Sequence, residues 1–440
     1  MNPLRAGVCG ALLTSALLAT ACLSVVRTPT PTREPPTATP TPVPPTATPL
    51  PTPTPPPLGT GPLRTKGGQI VDVAGREVRL TGVNWSGLET RAFAPLGLWS
   101  KTIDQTLDQI ADAGFNTIRL PYSNQLLRPG NTPGRINYDK NPDLKGLSGL
   151  EMMDRVVDGA RRRGLKVILD RHAPAADRAS GLWYTDEVPE ERWIQDWVML
   201  AEHYRGNGAV VGADLHNEPH AGATWGDGDP KTDWRLAAQR AGNAILAANP
   251  DWLIFVEGVE RVGEDQYWWG GNLSAVRRAP VELSLPGHVV YSTHDYGPDE
   301  SGQAWFKAPD YPLNLLDLWR SHWAYLRQEG LAPVLVGEFG GKSVSDDNQS
   351  GQWQRTLISF LQREGFSYTY WVWNQDDWVG GLVVDNDGTL NQAKMALLAP
   401  SQWPLLGQRI TEAEDDHGAT GSTRVETGRT NAADARAGRP

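Results

Sequence analysis

Residues 210–218, VVGADLHNE, begin as a short apolar run and end in a histidine, an asparagine and a glutamate. Residues 166–172, KVILDRH, and residues 334–340, VLVGEFG, have the same form. Short apolar runs of this kind are typical of strands that are buried on both faces of a parallel sheet. These stretches therefore predict a parallel sheet whose strands lead directly into polar side chains.

Eight such runs occur along the chain, and amphipathic stretches separate most of them. Strands that alternate with helices are typical of repeated βα units around a parallel sheet. Eight units over about 340 residues predict an α/β fold, a (β/α)8 TIM barrel, formed by a single domain over residues 64–406. The predicted strands are residues 78–84, 117–121, 166–171, 210–216, 253–257, 289–294, 333–337 and 369–374, and the predicted helices are residues 103–113, 150–163, 191–204, 234–248, 315–328 and 352–363.

Unusual polar side chains stand at the carboxyl ends of six predicted strands. One such residue would most often be a satisfied structural group. In a TIM barrel, however, all these ends meet at one mouth, where active sites lie. Six converging ends therefore indicate a functional site, formed by Arg119, Asp170, Arg171, His172, His216, Asn217, Glu218, His294, Asp295, Tyr296, Glu338, Trp371, Trp373 and Asn374.

Two carboxylates stand out in this set, because Glu218 follows the fourth strand and Glu338 follows the seventh. Glycoside hydrolysis with retention needs such a pair, one to attack the anomeric carbon and one to protonate the leaving oxygen. Arg119 and Tyr296 could hydrogen-bond one carboxylate and keep it ionised. A histidine or an apolar wall beside the other glutamate would let its pKa rise, as a general acid requires.

Five motifs resemble glycoside hydrolase family 5, and most closely its bacterial endoglucanase, or cellulase, branch. They are LDRHAP (169–174), GADLHNEPH (212–220), YSTHDY (291–296), VLVGEFG (334–340) and YWVWN (370–374). The resemblance implies a (β/α)8 barrel that hydrolyses internal bonds of a β-1,4-glucan with net retention. It also implies that Glu218 is the general acid/base, that Glu338 is the nucleophile, and that no metal or organic cofactor takes part.

The same resemblance carries over a shell of substrate-binding residues: Arg119, His172, Asn217, His294, Tyr296 and Trp371. Asn217 is expected to bond the sugar 2-OH, and Trp371 to form the floor of the subsite where cleavage begins. Stacking on neighbouring glucose faces is expected of Trp85, Trp268 and Trp269, with packing in the core as the alternative for each. The chain holds 18 tryptophans and only 7 phenylalanines, a bias that flat stacking surfaces would explain better than core filling, with a Trp-rich core as the alternative.

The terminal segments differ in composition from the barrel. Residues 1–21 have the form of an export signal, with an apolar run that is too short to span a bilayer as a mature helix. Cys22 stands where a bacterial lipoprotein signal places its lipidated cysteine, and ordinary cleavage after Ala21 is the alternative. Residues 22–63 are predicted to be a Pro/Thr-rich linker and residues 407–440 a disordered tail. We therefore expect an exported protein, either secreted or lipid-anchored at the cell surface.

Several partners and functions are disfavoured. The formal net charge of −10 argues against a nucleic acid as the main partner. The run DNDG (385–388) lacks the remainder of a calcium loop, and DRH (170–172) lacks metal-ligand spacing, so no metal is expected.

We expect a monomer that acts on a polysaccharide, with mannan, xyloglucan and mixed-linkage glucan left open as substrates, because loop shape sets sugar preference. A tethered glycan-binding protein without catalysis is disfavoured, because both Glu218 and Glu338 are present.

Overall fold

The computed structural model describes residues 57–376 and 378–410. The predicted signal, Cys22, most of the predicted linker and the tail from residue 411 onward lie outside these described residues. None of the helices within the described ranges combines the length and the apolar composition that crossing a membrane requires.

Eight parallel strands close into a barrel, in which each strand pairs with the next along the chain and the last pairs with the first. The (β/α)8 barrel predicted from the sequence is therefore confirmed. Three short strands come first in the chain: β1 (Arg64–Lys66), β2 (Gln69–Val71) and β3 (Glu77–Val78). The barrel strands are β4 (Thr81–Asn84), β5 (Thr117–Ser123), β6 (Lys166–Ala173), β7 (Val210–Asp214), β8 (Leu253–Glu257), β11 (Val289–His294), β12 (Val334–Glu338) and β13 (Ser367–Tyr370). Between β8 and β11 the chain forms a separate hairpin of β9 (Arg261–Val262) and β10 (Asp265–Gln266).

Five of the helices begin at a residue whose side chain caps the first turn. Ser148 and Glu151 form a capping box that satisfies free amide groups in the first turn of the second helix. The predicted helix over 315–328 forms as two helices joined by a π-helical turn, Arg320–Ala324. The helices are α1 (Ile103–Asp112), α2 (Gly149–Arg162), α3 (Glu190–His203), α4 (Trp234–Ala248), α5 (Asn314–Trp319), α6 (Tyr325–Gln328), α7 (Gln349–Glu364) and α8 (Gln392–Leu398). The five capped helices are α1, α2, α4, α7 and α8.

The first and last predicted barrel strands differ from the observed ones. The run predicted as one strand over 78–84 is divided, because β3 pairs with β2 in a small antiparallel sheet whereas β4 joins the barrel. A continuous run of strand-forming residues does not reveal that the chain changes partners within it. The last strand ends at Tyr370, four residues before the predicted end, so the residues from Trp371 onward lie in a loop.

The amino-terminal end of the barrel is filled by apolar side chains. Ile70 and Val78 of the small sheet pack into a buried cluster with residues from the first halves of the barrel strands, such as Leu253 and Leu335. Leu63 and Leu406 belong to the same cluster, with 2% and 0% of their surfaces exposed. The packed chain therefore begins before residue 64 and runs to the predicted domain end, where Leu406 still belongs to the core.

Half of the tryptophans serve the core. Nine of the 18 are fully buried, most of them between the strands and the surrounding helices. Trp193 and Trp197 of α3 both donate an indole N–H to the Leu215 carbonyl, at 3.0 and 3.2 Å. These hydrogen bonds satisfy the polar atoms of the buried rings, as a buried tryptophan requires.

The apolar cluster leads to a stability prediction. Leu253→Ala removes a side chain that is fully buried at the amino-terminal end of the barrel. It is expected to lower the free energy of unfolding by about 2–5 kcal/mol, through lost burial and the cavity left behind. Leu313→Ala is the control, because Leu313 is 68% exposed. Denaturant unfolding of both variants checks this, and equal, small effects would contradict the assignment of Leu253 to the core.

Candidate active site

Arg119 occupies the centre of the barrel mouth. Its guanidinium is fully buried on β5 and lies within ion-pair distance of carboxylates from four other strands. The contacts are Nε to Asp214 at 2.8 Å, Nη1 to Glu338 at 2.7 Å and to Asp170 at 3.1 Å, and Nη2 to Glu257 at 3.1 Å. Burial alone would lower the pKa of Arg119, but these carboxylates raise it well above its ordinary value. The guanidinium is therefore a permanent positive charge.

Glu338, the last residue of β12, accepts hydrogen bonds from two side chains. Arg119 Nη1 donates to Glu338 Oε1 at 2.7 Å, and the Tyr296 hydroxyl donates to Glu338 Oε2 at 2.8 Å. Burial and the charge of Glu338 raise the pKa of Tyr296 well above its ordinary value, so the phenol keeps the proton that it donates. Two charge-assisted or short hydrogen bonds of this kind stabilise an ionised carboxylate.

Glu218 follows β7 and has an unusual main-chain conformation. Its φ is 52°, in the left-handed region that costs a residue other than glycine about 1–2 kcal/mol. The Glu218 amide donates to Glu257 Oε2 at 2.8 Å, and its carbonyl is hydrogen-bonded to His220 Nδ1 at 2.6 Å. The main chain of Glu218 is therefore fixed from both sides, and its carboxyl points into the mouth.

The two glutamates face each other closely. A carboxylate oxygen of Glu218, a nitrogen of His294 and a carboxylate oxygen of Glu338 all lie within 4.8 Å of one another. His294 Nδ1 is hydrogen-bonded to Glu218 Oε1 at 3.0 Å and lies 3.7 Å from Glu338 Oε2. The buried imidazole thus stands beside both carboxylates.

The electrostatics around Glu218 differ from what the sequence led us to expect. Burial raises the pKa of Glu218, but its hydrogen bond with His294 and the charges of nearby histidines lower the pKa below its ordinary value. Burial likewise lowers the pKa of His294, but the charges of Glu257 and Glu338 and the hydrogen bond to Glu218 raise it well above its ordinary value. These opposite shifts favour a proton on His294 over one on Glu218. The predicted rise in the pKa of Glu218 is therefore wrong.

His172 also lies beside Glu338, with 3.9 Å between its Nδ1 and Glu338 Oε1. Its Nδ1 is hydrogen-bonded to Asp170 Oδ2 at 2.8 Å, and its ring stacks on Trp371 with centroids 5.5 Å apart and an interplanar angle of 15°. Burial lowers the pKa of His172, but the charge of Asp170 and this hydrogen bond raise it to about 9. Trp371 is followed by a cis peptide bond to Val372.

A cleft of about 480 Å³ opens over the two glutamates, and eight residues singled out from the sequence line it: His172, Asn217, Glu218, Trp268, Trp269, Tyr296, Glu338 and Trp371. Trp269 is 46% exposed, and its other face stacks on His220 with centroids 3.8 Å apart. A flat aromatic surface of this kind suits the apolar face of a sugar ring. Asn217 Oδ1 accepts from Arg119 Nη2 at 2.9 Å, which fixes the orientation of its amide.

Three residues that the sequence grouped with the substrate-binding set do not line the cleft. Arg119 and His294 are fully buried behind the carboxylates, so they bind the two glutamates and are shielded from a ligand in the cleft. Trp85 is fully buried as well, with its indole N–H donating to the Leu96 carbonyl at 3.0 Å. The stacking role expected of Trp85 is wrong, because its ring packs between the barrel and the following loop.

Sequence reasoning also missed residues of the site. Glu257 ends β8 and Asn84 ends β4, and both contact Arg119. The signal that revealed the other residues was present here too, since Glu257 follows the apolar run LIFV (253–256). Glu300 and Trp378 line the cleft from loops and are hydrogen-bonded to each other. Loop residues of this kind carry no periodic signal.

Two groups of potential metal ligands occur at the mouth among the described residues, and both include Glu338. One adds Asp170 and His172, and the other adds Glu218 and His294. In each group the imidazole Nδ1 is already hydrogen-bonded to a carboxylate, at 2.8 and 3.0 Å. Glu338 is engaged by Arg119 and Tyr296, so hydrogen bonds account for both groups and we assign no metal to them.

Comparisons with known proteins agree with this geometry. Residues 71–377 match the family model described as cellulase (glycosyl hydrolase family 5). The chain is 49% identical over 350 residues to an endoglucanase of Paenibacillus polymyxa, and the matched region covers 79% of this chain and 88% of that protein. It is 38% identical over 337 residues to the major extracellular endoglucanase of Xanthomonas campestris pv. campestris, covering 75% of this chain and 69% of that protein.

A solved structure of the hyperthermophilic endocellulase from Pyrococcus horikoshii is similar to the barrel, with a TM-score of 0.73 and 38% sequence identity. That similarity covers 78% of this chain and 99% of the solved chain. The family resemblance of the motifs is therefore confirmed, and the chain belongs to glycosyl hydrolase family 5.

Proposed function

We propose that this family 5 glycoside hydrolase is a retaining endo-β-1,4-glucanase, with Glu338 as nucleophile and Glu218 as general acid/base. The observation that carries the proposal is the separation of the two carboxylates, whose oxygens lie within 4.8 Å of each other. Retaining glycosidases hold their carboxyl groups about 5–5.5 Å apart, whereas inverting enzymes need about 6.5–9.5 Å to admit a water molecule.

The neighbours of each glutamate support its role. Arg119 and Tyr296 donate to Glu338 and keep it ionised, so it can attack the anomeric carbon and form a glycosyl ester. Glu218 and His294 share a hydrogen bond and one proton, which Glu218 delivers to the leaving oxygen. Formation of the ester removes the charge of Glu338, and Glu218 then takes a proton from the attacking water.

The substrate class rests on the cleft and on the relatives. Four tryptophans line the same cleft as the two glutamates, and flat rings can stack on successive glucose faces: Trp268, Trp269, Trp371 and Trp378. The similar proteins from Paenibacillus and Xanthomonas are named endoglucanases. These points favour cleavage inside a β-1,4-glucan chain.

A surface location is part of the proposal. Cys22 follows an apolar segment and is the first of the Pro/Thr-rich residues 22–63, which suits a tether between a lipid anchor and the barrel. A single acyl chain binds membranes only marginally, whereas two or more hold stably. Release by ordinary cleavage after Ala21 is the alternative.

The substrate assignment predicts an endo pattern of cleavage. The viscosity of a soluble cellulose derivative is expected to fall well before reducing ends accumulate, because breaks inside chains shorten them fastest. Activity on crystalline cellulose is expected to be weak. Parallel assays on mannan, xyloglucan and mixed-linkage glucan serve as comparison. Greater activity on mannan, with little on glucans, would assign the enzyme to another β-glycan.

Variants that lack one of the two glutamates are expected to lose activity in different ways. Glu218→Ala and Glu338→Ala should each lower kcat on cellulosic substrates by about a thousandfold or more, because each loses acid/base or nucleophilic catalysis. With dinitrophenyl cellobioside, whose leaving group needs no proton, Glu218→Ala should accumulate the glycosyl-enzyme, and azide should release it as a β-glycosyl azide. Glu338→Ala should form no such intermediate, and azide could give only the α-azide.

Trapping with a fluorinated sugar, followed by mass spectrometry, identifies the nucleophile. The label is expected on Glu338. The matched control is Glu264→Ala, a change of an exposed glutamate in the β9–β10 turn, which should retain wild-type activity. A label on Glu218 would reverse the assignment, and wild-type product of inverted configuration would exclude the mechanism.

Replacement of Cys22 by serine tests the anchor. Cys22→Ser should move active enzyme from the membrane fraction into the medium, because serine cannot form the thioether that carries the lipid. Fractionation with an activity assay measures the change. Wild-type protein that is already fully soluble in the medium would contradict the tether.

A further inference from the structure

Glu257 is a fully buried carboxylate to which the mechanism above gives no role. It ends β8 and contacts three members of the site at once. Its Oε1 lies 3.1 Å from Arg119 Nη2 and 3.2 Å from His294 Nε2, and its Oε2 accepts from the Glu218 amide at 2.8 Å. Burial raises the pKa of Glu257 above its ordinary value, whereas His294 and Arg119 act against this shift, and the three neighbouring donors favour the ionised carboxylate.

The contact with Glu218 stabilises an unfavourable main-chain conformation of that residue. Glu218 has φ 52°, and the hydrogen bond from its amide to Glu257 holds the chain there. Gly270 packs against the same pair, since a Cβ atom at this position would lie 2.1 Å from Glu257 Oε2 and 3.1 Å from Glu218 Cα. The carboxylate is therefore enclosed at a fixed position beneath the Glu218 main chain.

The contact with His294 affects the proton that His294 shares with Glu218. The two nitrogens of the imidazole face different carboxylates, Nδ1 facing Glu218 at 3.0 Å and Nε2 facing Glu257 at 3.2 Å. Glu338, 3.7 Å from Nδ1, and Asp170 also act on this ring.

The charges that face Glu257 in turn are Arg119, His294, Asp170 and Asp214. The Glu218 carboxyl and the Glu257 carboxylate face the two different nitrogens of the His294 ring.

We propose that Glu257 is a positioning residue for the acid/base step: its carboxylate fixes both the Glu218 main chain and the His294 ring that shares a proton with the Glu218 carboxyl. The inference rests on the proposed role of Glu218. It assigns to Glu257 no contact with the substrate, because Glu257 is fully buried behind the carboxylates of the cleft.

The charge of Glu257 has a directional consequence for pH dependence. A negative charge beside His294 favours the protonated imidazole, and the charge of Glu257 accordingly raises the pKa of His294. Without that charge, the Glu218–His294 pair loses its shared proton at lower pH. The alkaline limb of the kcat/KM profile should then move to lower pH.

The test compares Glu257→Gln and Glu257→Asp with the wild-type enzyme, using cellotetraose and dinitrophenyl cellobioside as substrates. Cellotetraose has a leaving sugar that must be protonated, whereas the dinitrophenolate leaves without a proton. Glu257→Gln removes the charge and keeps the side-chain volume. Glu257→Asp keeps the charge but withdraws it from the Glu218 amide. Glu264→Gln makes the same chemical change at an exposed position and should leave both activities unchanged.

For Glu257→Gln, kcat/KM is expected to fall about 100-fold on cellotetraose and less than about tenfold on the dinitrophenyl glycoside, as expected for lost general acid catalysis. Its alkaline limb should move down by about one pH unit or more. Glu257→Asp should show the same difference between substrates, with its alkaline limb near that of wild type. If Glu257→Gln fails to fold, the substrate difference in Glu257→Asp decides the matter.

Equal losses on both substrates with an unchanged pH profile would overturn the inference and assign Glu257 a structural role only. That outcome leaves the proposed function intact, because the wild-type enzyme and Glu264→Gln would still cleave both substrates. A wild-type enzyme that cleaves neither substrate would overturn the proposed function, and the role of Glu257 with it.

Discussion

The buried guanidinium of Arg119 is the constraint on which the barrel mouth depends. A charge removed from water costs several kcal/mol unless it is paired and its hydrogen bonds are satisfied. Arg119 meets this requirement only where four strands bring carboxylates to within 3.1 Å of it. Closure of the barrel and assembly of the site are therefore the same event, because the ion-pair partners come from strands far apart in sequence.

The two glutamates of the cleft show how environment separates chemically identical groups. Glu338 ends β12 and is bound by a permanent cation and a phenol that retains its proton. Glu218 lies just beyond its strand, in a left-handed conformation, with an imidazole as its hydrogen-bond partner. The first arrangement holds a carboxylate in one charge state, whereas the second allows a proton to move between two groups.

The two ends of the barrel have different roles: the amino-terminal end contributes to stability, and the carboxyl end holds the candidate active site. Apolar side chains fill the amino-terminal end, where the small sheet of β1 to β3 packs against the strands. Charged side chains occupy the carboxyl end, where each one weakens the core unless it is paired. Half of the tryptophans are fully buried, whereas Trp269 and Trp378 at the cleft are 46% and 66% exposed.

The sequence by itself determined the barrel and the two glutamates, because eight apolar runs recur with helices between them and each strand end is marked by a local change from apolar to polar residues. It also placed Arg119 and Tyr296 beside Glu338. Only the tertiary structure decided which tryptophan side chains point into the core and which line the cleft. Trp85 turns into the core while Trp269 lines the cleft, and the burial of a ring depends on loops distant in sequence.

The part played by Glu257, and the lowered pKa of Glu218, likewise arise from contacts between different strands. A carboxylate acquires its partners and its desolvation only when those strands meet. No local pattern records such contacts, because they join residues tens to hundreds of positions apart.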